Sequence, residues 1–223
     1  GSVTALNVGD GSVVWKSWLV DEPRKTGVSA AGTDLYGPSG VGVWSAPTVD
    51  ARRGLLYVAT GDNYTHPATD KSDAILALDM KSGRIVWAQQ TTASDVFNAT
   101  CPRGAPNCGP DHDFAAPAIL VRAANGREML VAGQKSGVVF GLDPADGGRL
   151  LWQTRVGQGG TAGGIQWGMA SDGRNVYASV ADAVRWPISR LRPPTMAPAR
   201  AARVSSAREK SATIRPSRRT ATR

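Results

Sequence analysis

Three segments of the chain share one arrangement of apolar and polar positions. In residues 76 to 87, "LALDMKSGRIVW", a run that alternates with period two breaks at a Gly-containing turn and then resumes. That pattern predicts a β-hairpin. The same phrase stands upstream as "TALNVGDGSVVW", residues 4 to 15, and downstream as "FGLDPADGGRLLW", residues 140 to 152. Asn7, Asp79 and Asp143 hold one position of the phrase, and Trp15, Trp87 and Trp152 hold another. A short Asx side chain accepts hydrogen bonds from nearby amides and sets a tight turn, and glycine accepts the positive φ where the chain reverses. The indole adds a large apolar face with a single donor.

A second set of hairpin-like segments interleaves with the first. "VWSAPTVDARRGLLYVATGD" (43 to 62), "DFAAPAILVRAANGREMLVAGQ" (113 to 134) and "QWGMASDGRNVYASVAD" (166 to 182) each predict a strand, a polar turn and another strand. In chain order this gives two strands, four (about 42 to 91), four (about 113 to 155) and two (about 165 to 181). Repeated antiparallel groups of four predict blades of a β-propeller, two of them whole and two of them half. The fold class is all-β. Because the chain opens inside a strand with "GSVTALN", without a leader segment or initiator Met, it is expected to be a piece of a longer protein.

Charge changes the picture only at the end of the chain. Residues 1 to 184 carry 15 Lys and Arg against 17 Asp and Glu, a net −2, whereas residues 185 to 223 carry 11 against 1, a net +10. Two segments follow from this: a propeller-like part, 1 to 184, and a basic tail, 185 to 223, rich in Arg, Pro, Ser and Ala. Without apolar periodicity such a tail is expected to be disordered and dispensable. Its abrupt onset after "NVYASVAD" reads as an out-of-frame end. A basic stretch without interleaved aromatic platforms does not point to nucleic-acid binding. No apolar run approaches 18 residues, so no membrane-spanning helix is expected.

Cys101 and Cys108 flank a Pro- and Gly-rich loop, "NATCPRGAPNCGPDHD", where they can close a disulfide or stand as free thiols. A disulfide would suit an oxidising compartment. Neither cysteine belongs to a C-x-x-C-H haem motif, and His66 and His112 lack the spacing of zinc ligands.

The Trp-closed repeats "ALNVGDGSVVW" and "ALDMKSGRIVW" resemble the tryptophan-docking motif of the pyrroloquinoline quinone (PQQ) dependent alcohol dehydrogenases. Within that family the segments "NATCPRGAPNCGPDHDFAAPAIL" and "GGIQWGMASDGRNVY" are most similar to polyvinyl alcohol dehydrogenases. The resemblance covers residues 1 to about 183. It implies an eight-bladed quinoprotein propeller, PQQ and Ca²⁺ as cofactors, secondary or polymeric alcohols as substrates, an electron acceptor such as a cytochrome c, and a periplasmic or secreted location. Similar repeats also occur in propellers that act as outer-membrane assembly scaffolds, which is the alternative reading. Turnover in residues 1 to 223 alone is not expected, because the resemblance places further blades on either side and a Ca²⁺-binding glutamate just upstream of the first repeat.

PQQ chemistry needs an aromatic floor, a base for the hydroxyl proton, a cation beside the quinone, and oxygen ligands for a hard metal ion. By resemblance Trp44 in "GVWSAPTVD" stacks on the quinone, and Lys135 in "GQKSGVVFGLD" lies beside its carbonyls. Gln166 and Trp167 in "GGIQWGMA" stand near the cofactor. Asp62 or Asn63 in "ATGDNY" binds the metal, the family more often having Asn at the position of Asp62. For the catalytic base Asp95 in "TTASDVFN" ranks first and Asp113 second, with Asp111 beside it in "GPDHDF".

Overall fold

The structure is a computed structural model that describes residues 1–101 and 107–182. The expected tail from Arg185 onward lies outside the described residues. The chain enters as a two-stranded sheet of β1 (Ser2–Leu6) and β2 (Val13–Trp18), followed by a hairpin of β3 (Arg24–Val28) and β4 (Asp34–Gly37). Then come β5 (Ser39–Gly40), β6 (Thr48–Asp50), β7 (Leu55–Ala59), β8 (Asn63–Thr65), β9 (Ala74–Asp79) and β10 (Ile85–Gln90). Of these, β6, β7, β9 and β10 form one antiparallel four-stranded sheet, while β5 pairs with β8. The second four-stranded sheet is β11 (Ile119–Arg122), β12 (Glu128–Gly133), β13 (Val138–Asp143) and β14 (Arg149–Arg155). A final pair, β15 (Met169–Ser171) and β16 (Val176–Ala178), follows.

The two-four-four-two order is therefore present, and the described part is all-β, with the four-stranded antiparallel sheets of a β-propeller. Two strand pairs escape the sequence pattern: the β3–β4 hairpin and the short β5–β8 pair. Both are weakly patterned because neither packs an apolar face into a core.

Three cores separate the successive sheets. In β9, Ile75 and Ala77 face Leu130 and Ala132 of β12 and Phe140 and Leu142 of β13, with Tyr57 and Phe114 between them. The intervening residues Ala74, Leu76 and Leu78 point the other way, against Leu19, Val41, Val3 and Trp15. On the far side of the second four-stranded sheet, Val121, Val131 and Val139 pack with Ile165 and with the β15–β16 pair. Inner strands thus bury both faces, which is why β9 reads as a continuous apolar run. Each fully buried leucine contributes about 1.5–3 kcal/mol.

The repeated tryptophans join one sheet to the next. Trp15 donates its indole N–H to the Met80 carbonyl at 3.0 Å and lays its ring over Gly83, where a Cβ would collide with it. Trp87 lies over Gly148 in the same way, one sheet further on, with Tyr57 packed beside it at 5.7 Å between ring centroids. Both glycines have positive φ, 73° and 74°. The turns themselves are set as expected: the Asp79 carboxylate accepts the amides of Lys81 and Ser82, Asp143 that of Ala145, and the Asn7 side chain that of Gly9.

Candidate active site

The strand ends on one side of the two four-stranded sheets converge on a cavity of about 540 Å³. Asp113 is placed by its backbone: its carbonyl accepts the Lys135 N–H at 3.0 Å, just beyond β12, and the next amide, Phe114 N–H, donates to Thr60 at the end of β7. Its carboxylate is thereby held between the two sheets. Asp113 Oδ1 accepts the backbone N–H of Asp62 at 2.7 Å, an approach that Gly61 permits, since a Cβ there would stand 2.6 Å from that oxygen.

Lys135 Nζ donates to Asp113 Oδ2 at 2.7 Å and to Asp111 Oδ1 at 2.8 Å, and it lies 5.4 Å from the centroid of the Trp44 ring. The ammonium is thus a bridge between two buried carboxylates, with an indole beside it in cation–π range. Burial alone would pull the Lys135 pKa down, but the hydrogen bonds and charges of Asp111 and Asp113 outweigh it and hold the pKa above the usual lysine value. Lys135 stays cationic. Trp44 leaves 53% of its surface exposed while lining the cavity, an open aromatic face rather than a core residue.

Asp62 lines the same cavity, and its Oδ2 is buried without a hydrogen-bond partner. Burial, reinforced by the charges of Asp113 and Asp111, pushes its pKa up. One oxygen from each of Asp62, Asp111 and Asp113 falls within a sphere of 4.8 Å mutual separation, a spacing that a cation with carboxylate ligands can bridge. An unpartnered buried carboxylate oxygen facing two more carboxylates fits a hard cation of the Ca²⁺ kind.

Other expected site residues lie elsewhere. Asn63 is buried with its amide engaged: Oδ1 accepts the Thr69 N–H at 2.8 Å and Nδ2 donates to the Ser39 carbonyl. It pins a loop behind the cavity. Asp95, the first-ranked base, is fully buried outside the cavity lining, and its two oxygens accept the backbone amides of Asp111 and His112 at 3.1 and 2.8 Å. Those bonds hold Asp111 at a φ of 59°, which turns its carboxylate toward Lys135. Gln166 donates to the Gly163 carbonyl, and Trp167 is 75% exposed away from the cavity. Their segment still braces the site through backbone: the Gly160 and Ile165 amides donate to the carbonyls of Lys135 and Gln134. Sequence reasoning missed Tyr64, Phe97 and Asn98, which complete the wall. Nothing in their local pattern marks them. Cys101 and Cys108 form a disulfide.

Comparison with known proteins identifies the family of the chain. Residues 1–163 match the family model "Glucose/ethanol/alcohol dehydrogenase, beta-propeller domain". The chain is 40% identical over 189 residues to a polyvinylalcohol dehydrogenase of a Pseudomonas species, and 37% identical over 193 residues to one of Sphingopyxis sp. strain 113P3. Each alignment covers 82% of this chain and 29% of the relative, so the chain spans less than a third of the length of these relatives. Among solved structures it superposes on a europium-containing methanol dehydrogenase with a TM-score of 0.52 at 20% identity, over 70% of this chain and 30% of that one. A quinohemoprotein alcohol dehydrogenase of Pseudomonas putida HK5 gives a TM-score of 0.51 at 20% identity, over 70% and 24%. These two likenesses concern the fold. With the family model matching residues 1–163, most of this chain, and with its repeats docking tryptophan on glycine from sheet to sheet, the chain belongs to the PQQ family of dehydrogenase β-propellers.

Proposed function

We propose that the cavity at Lys135 is the alcohol-oxidising site of a PQQ-dependent dehydrogenase that acts on secondary or polymeric alcohols. The observation that carries this reading is the convergence of an open indole, a buried cation and three carboxylates on one cavity: Trp44, Lys135, Asp62, Asp111 and Asp113. A protein-binding scaffold has no use for a buried lysine held between two aspartates beside an exposed tryptophan face. The names of the curated relatives support the substrate class.

In this reading Trp44 would supply an aromatic floor for a planar quinone, and Lys135 would supply positive charge to stabilise the reduced cofactor. Asp62 and Asp111 would supply oxygen ligands for Ca²⁺. When bound, PQQ provides the two-electron acceptor that takes the hydride from the alcohol carbon, and the cation provides a Lewis acid. Asp113 is the base: its carboxylate faces the cavity and receives the hydroxyl proton, while Lys135 and the Asp62 amide fix its orientation. Asp95 orients Asp111 from behind and does not meet substrate. An electron acceptor such as a cytochrome c, outside this chain, completes the cycle. The Cys101–Cys108 disulfide supports a periplasmic or secreted location.

The test is PQQ binding in the presence of Ca²⁺, read as quenching of tryptophan fluorescence. Trp44→Ala and Lys135→Ala should each weaken binding about tenfold, about 1.4 kcal/mol, while Trp167→Ala leaves it unchanged. Equal affinity in all four proteins overturns the assignment of the cavity.

A further inference from the structure

A second cavity, of about 340 Å³, adjoins the first, and the two share Tyr64 and Asn98 in their linings. Asn98 Nδ2 donates to the Tyr64 carbonyl at 2.9 Å, so the two residues form a single low divide. The Tyr64 ring reaches across that divide toward the first cavity: a Cβ on Gly42 would stand 3.1 Å from its hydroxyl.

The far wall of the second cavity is the β3–β4 hairpin, carrying Leu35 and Tyr36; the near wall is the Cys101–Cys108 disulfide with Val96. Among the described residues the hairpin contributes to none of the three cores. Its Leu35 and Tyr36 stand 47% and 55% exposed. Apolar side chains left in water on an element that supports no core are those most readily explained by a ligand. Among the described residues the lining has a definite chemistry: aliphatic side chains, two phenols, threonine hydroxyls, the amides of Asn98 and Asn107 and the His66 imidazole, with no Asp, Glu, Lys or Arg. The neighbouring cavity, by contrast, carries Asp62, Asp111, Asp113 and Lys135 in its wall. A neutral ligand with an aliphatic backbone and hydroxyl groups fits this lining of apolar faces and hydrogen-bonding side chains, and only an extended ligand reaches over Tyr64 from one cavity into the other.

We propose that this cleft is a substrate subsite, in which the unreacted length of a neutral aliphatic polyol lies between the β3–β4 hairpin and the disulfide while its reacting carbinol faces Asp113. The inference rests on the alcohol-oxidising reading of the first cavity and adds a specificity element to it. Leu35 and Tyr36 then favour long substrates over short ones without touching the reacting atoms.

The experiment measures binding to the chain of two probes, a short vinyl alcohol oligomer and 2,4-pentanediol, by ligand-observed NMR. Tyr36→Ala and Leu35→Ser, both at exposed positions, should lower oligomer affinity about tenfold each and leave pentanediol affinity unchanged. Unchanged oligomer affinity, an equal loss for both probes, or no binding of the oligomer to the unmodified chain overturns the subsite. PQQ binding to the same variants is measured alongside. Tyr36-dependent oligomer binding without PQQ binding would leave the subsite standing and reject the redox reading of the first cavity. PQQ binding without a Tyr36-dependent oligomer preference would do the reverse.

Discussion

Asp73 sits at φ 50° just before β9, fully buried, with both carboxylate oxygens lacking a hydrogen-bond partner. Its backbone is well held, the N–H donating to the Gly61 carbonyl and its own carbonyl accepting from Thr91. Burial first, then the charges of Asp95, Asp113 and Asp62, push its pKa from 3.8 to about 9. Between those two values the unfolded side chain releases a proton that the folded one keeps. Stability therefore falls as pH rises from about 4 to about 9. Asp73→Asn removes the ionisation and keeps a residue type that tolerates positive φ. It should stabilise the protein at pH 8 by about 1–3 kcal/mol, a gain that shrinks toward pH 4; thermal unfolding at the two pH values checks it. Lys135→Met should act in the opposite sense. It leaves Asp111 and Asp113 buried without their shared cation, at a cost of about 3–5 kcal/mol for a broken buried pair, so the unfolding midpoint should drop at neutral pH. A midpoint within a degree of the unmodified protein would show that the bridge carries no net stability.

At the scale of elements, the tryptophan dock explains why the hairpin phrase repeats. Trp15 and Trp87 each stand on one sheet and rest on the turn glycine of the next, so indole and glycine are parts of one contact 68 and 61 residues apart. Gly83→Ala should be costly twice over. Its φ of 73° disfavours any side chain, and its Cβ would enter the Trp15 ring. We expect a loss of about 2–4 kcal/mol, since overpacking costs about 1–3 kcal/mol and strain adds about 1. Gly54→Ala has comparable φ, 66°, but open space around the missing Cβ, and so isolates the backbone part. Chemical denaturation of the two variants separates the contributions. Equal losses would mean that the indole contact is soft.

At the scale of the whole molecule, the cavity gathers three aspartates around one lysine, and its acidic surplus is the feature a cation would relieve. Ca²⁺ should therefore raise the unfolding midpoint. At a hundred times its dissociation constant the gain is about 2.7 kcal/mol. A chelator should reverse the shift and Asp62→Asn should abolish most of it, whereas Asp95→Asn should lower stability with and without Ca²⁺ alike. A midpoint indifferent to Ca²⁺ would exclude the cluster as a cation site. Because the readout is unfolding, it does not depend on turnover.

The sequence by itself determined the strand groups, the turns and the docking repeat. Each is written in local periodicity: alternation for the strands, Asx and Gly at fixed offsets for the turns of Asn7, Asp79 and Asp143, and a closing Trp. Family resemblance to those same segments placed Trp44, Asp62 and Lys135, and the fold does bring these three to one cavity. It ranked Asp95 ahead of Asp113, an order that the proposed site reverses. Both are buried aspartates in irregular loops, and the distinction is that Asp95 spends both oxygens on backbone amides outside the cavity lining, whereas Asp113 spends one on the Asp62 amide and turns the other to Lys135 in the cavity wall. That is decided by segments far apart in the chain, Thr60 and Lys135 clamping residues 113 and 114 from either side. The β3–β4 hairpin was equally illegible, because a strand pair exposed on both faces needs no alternation. Tertiary structure alone set it beside Tyr64 and the disulfide, where its exposed Leu35 and Tyr36 acquire a use that no local pattern encodes.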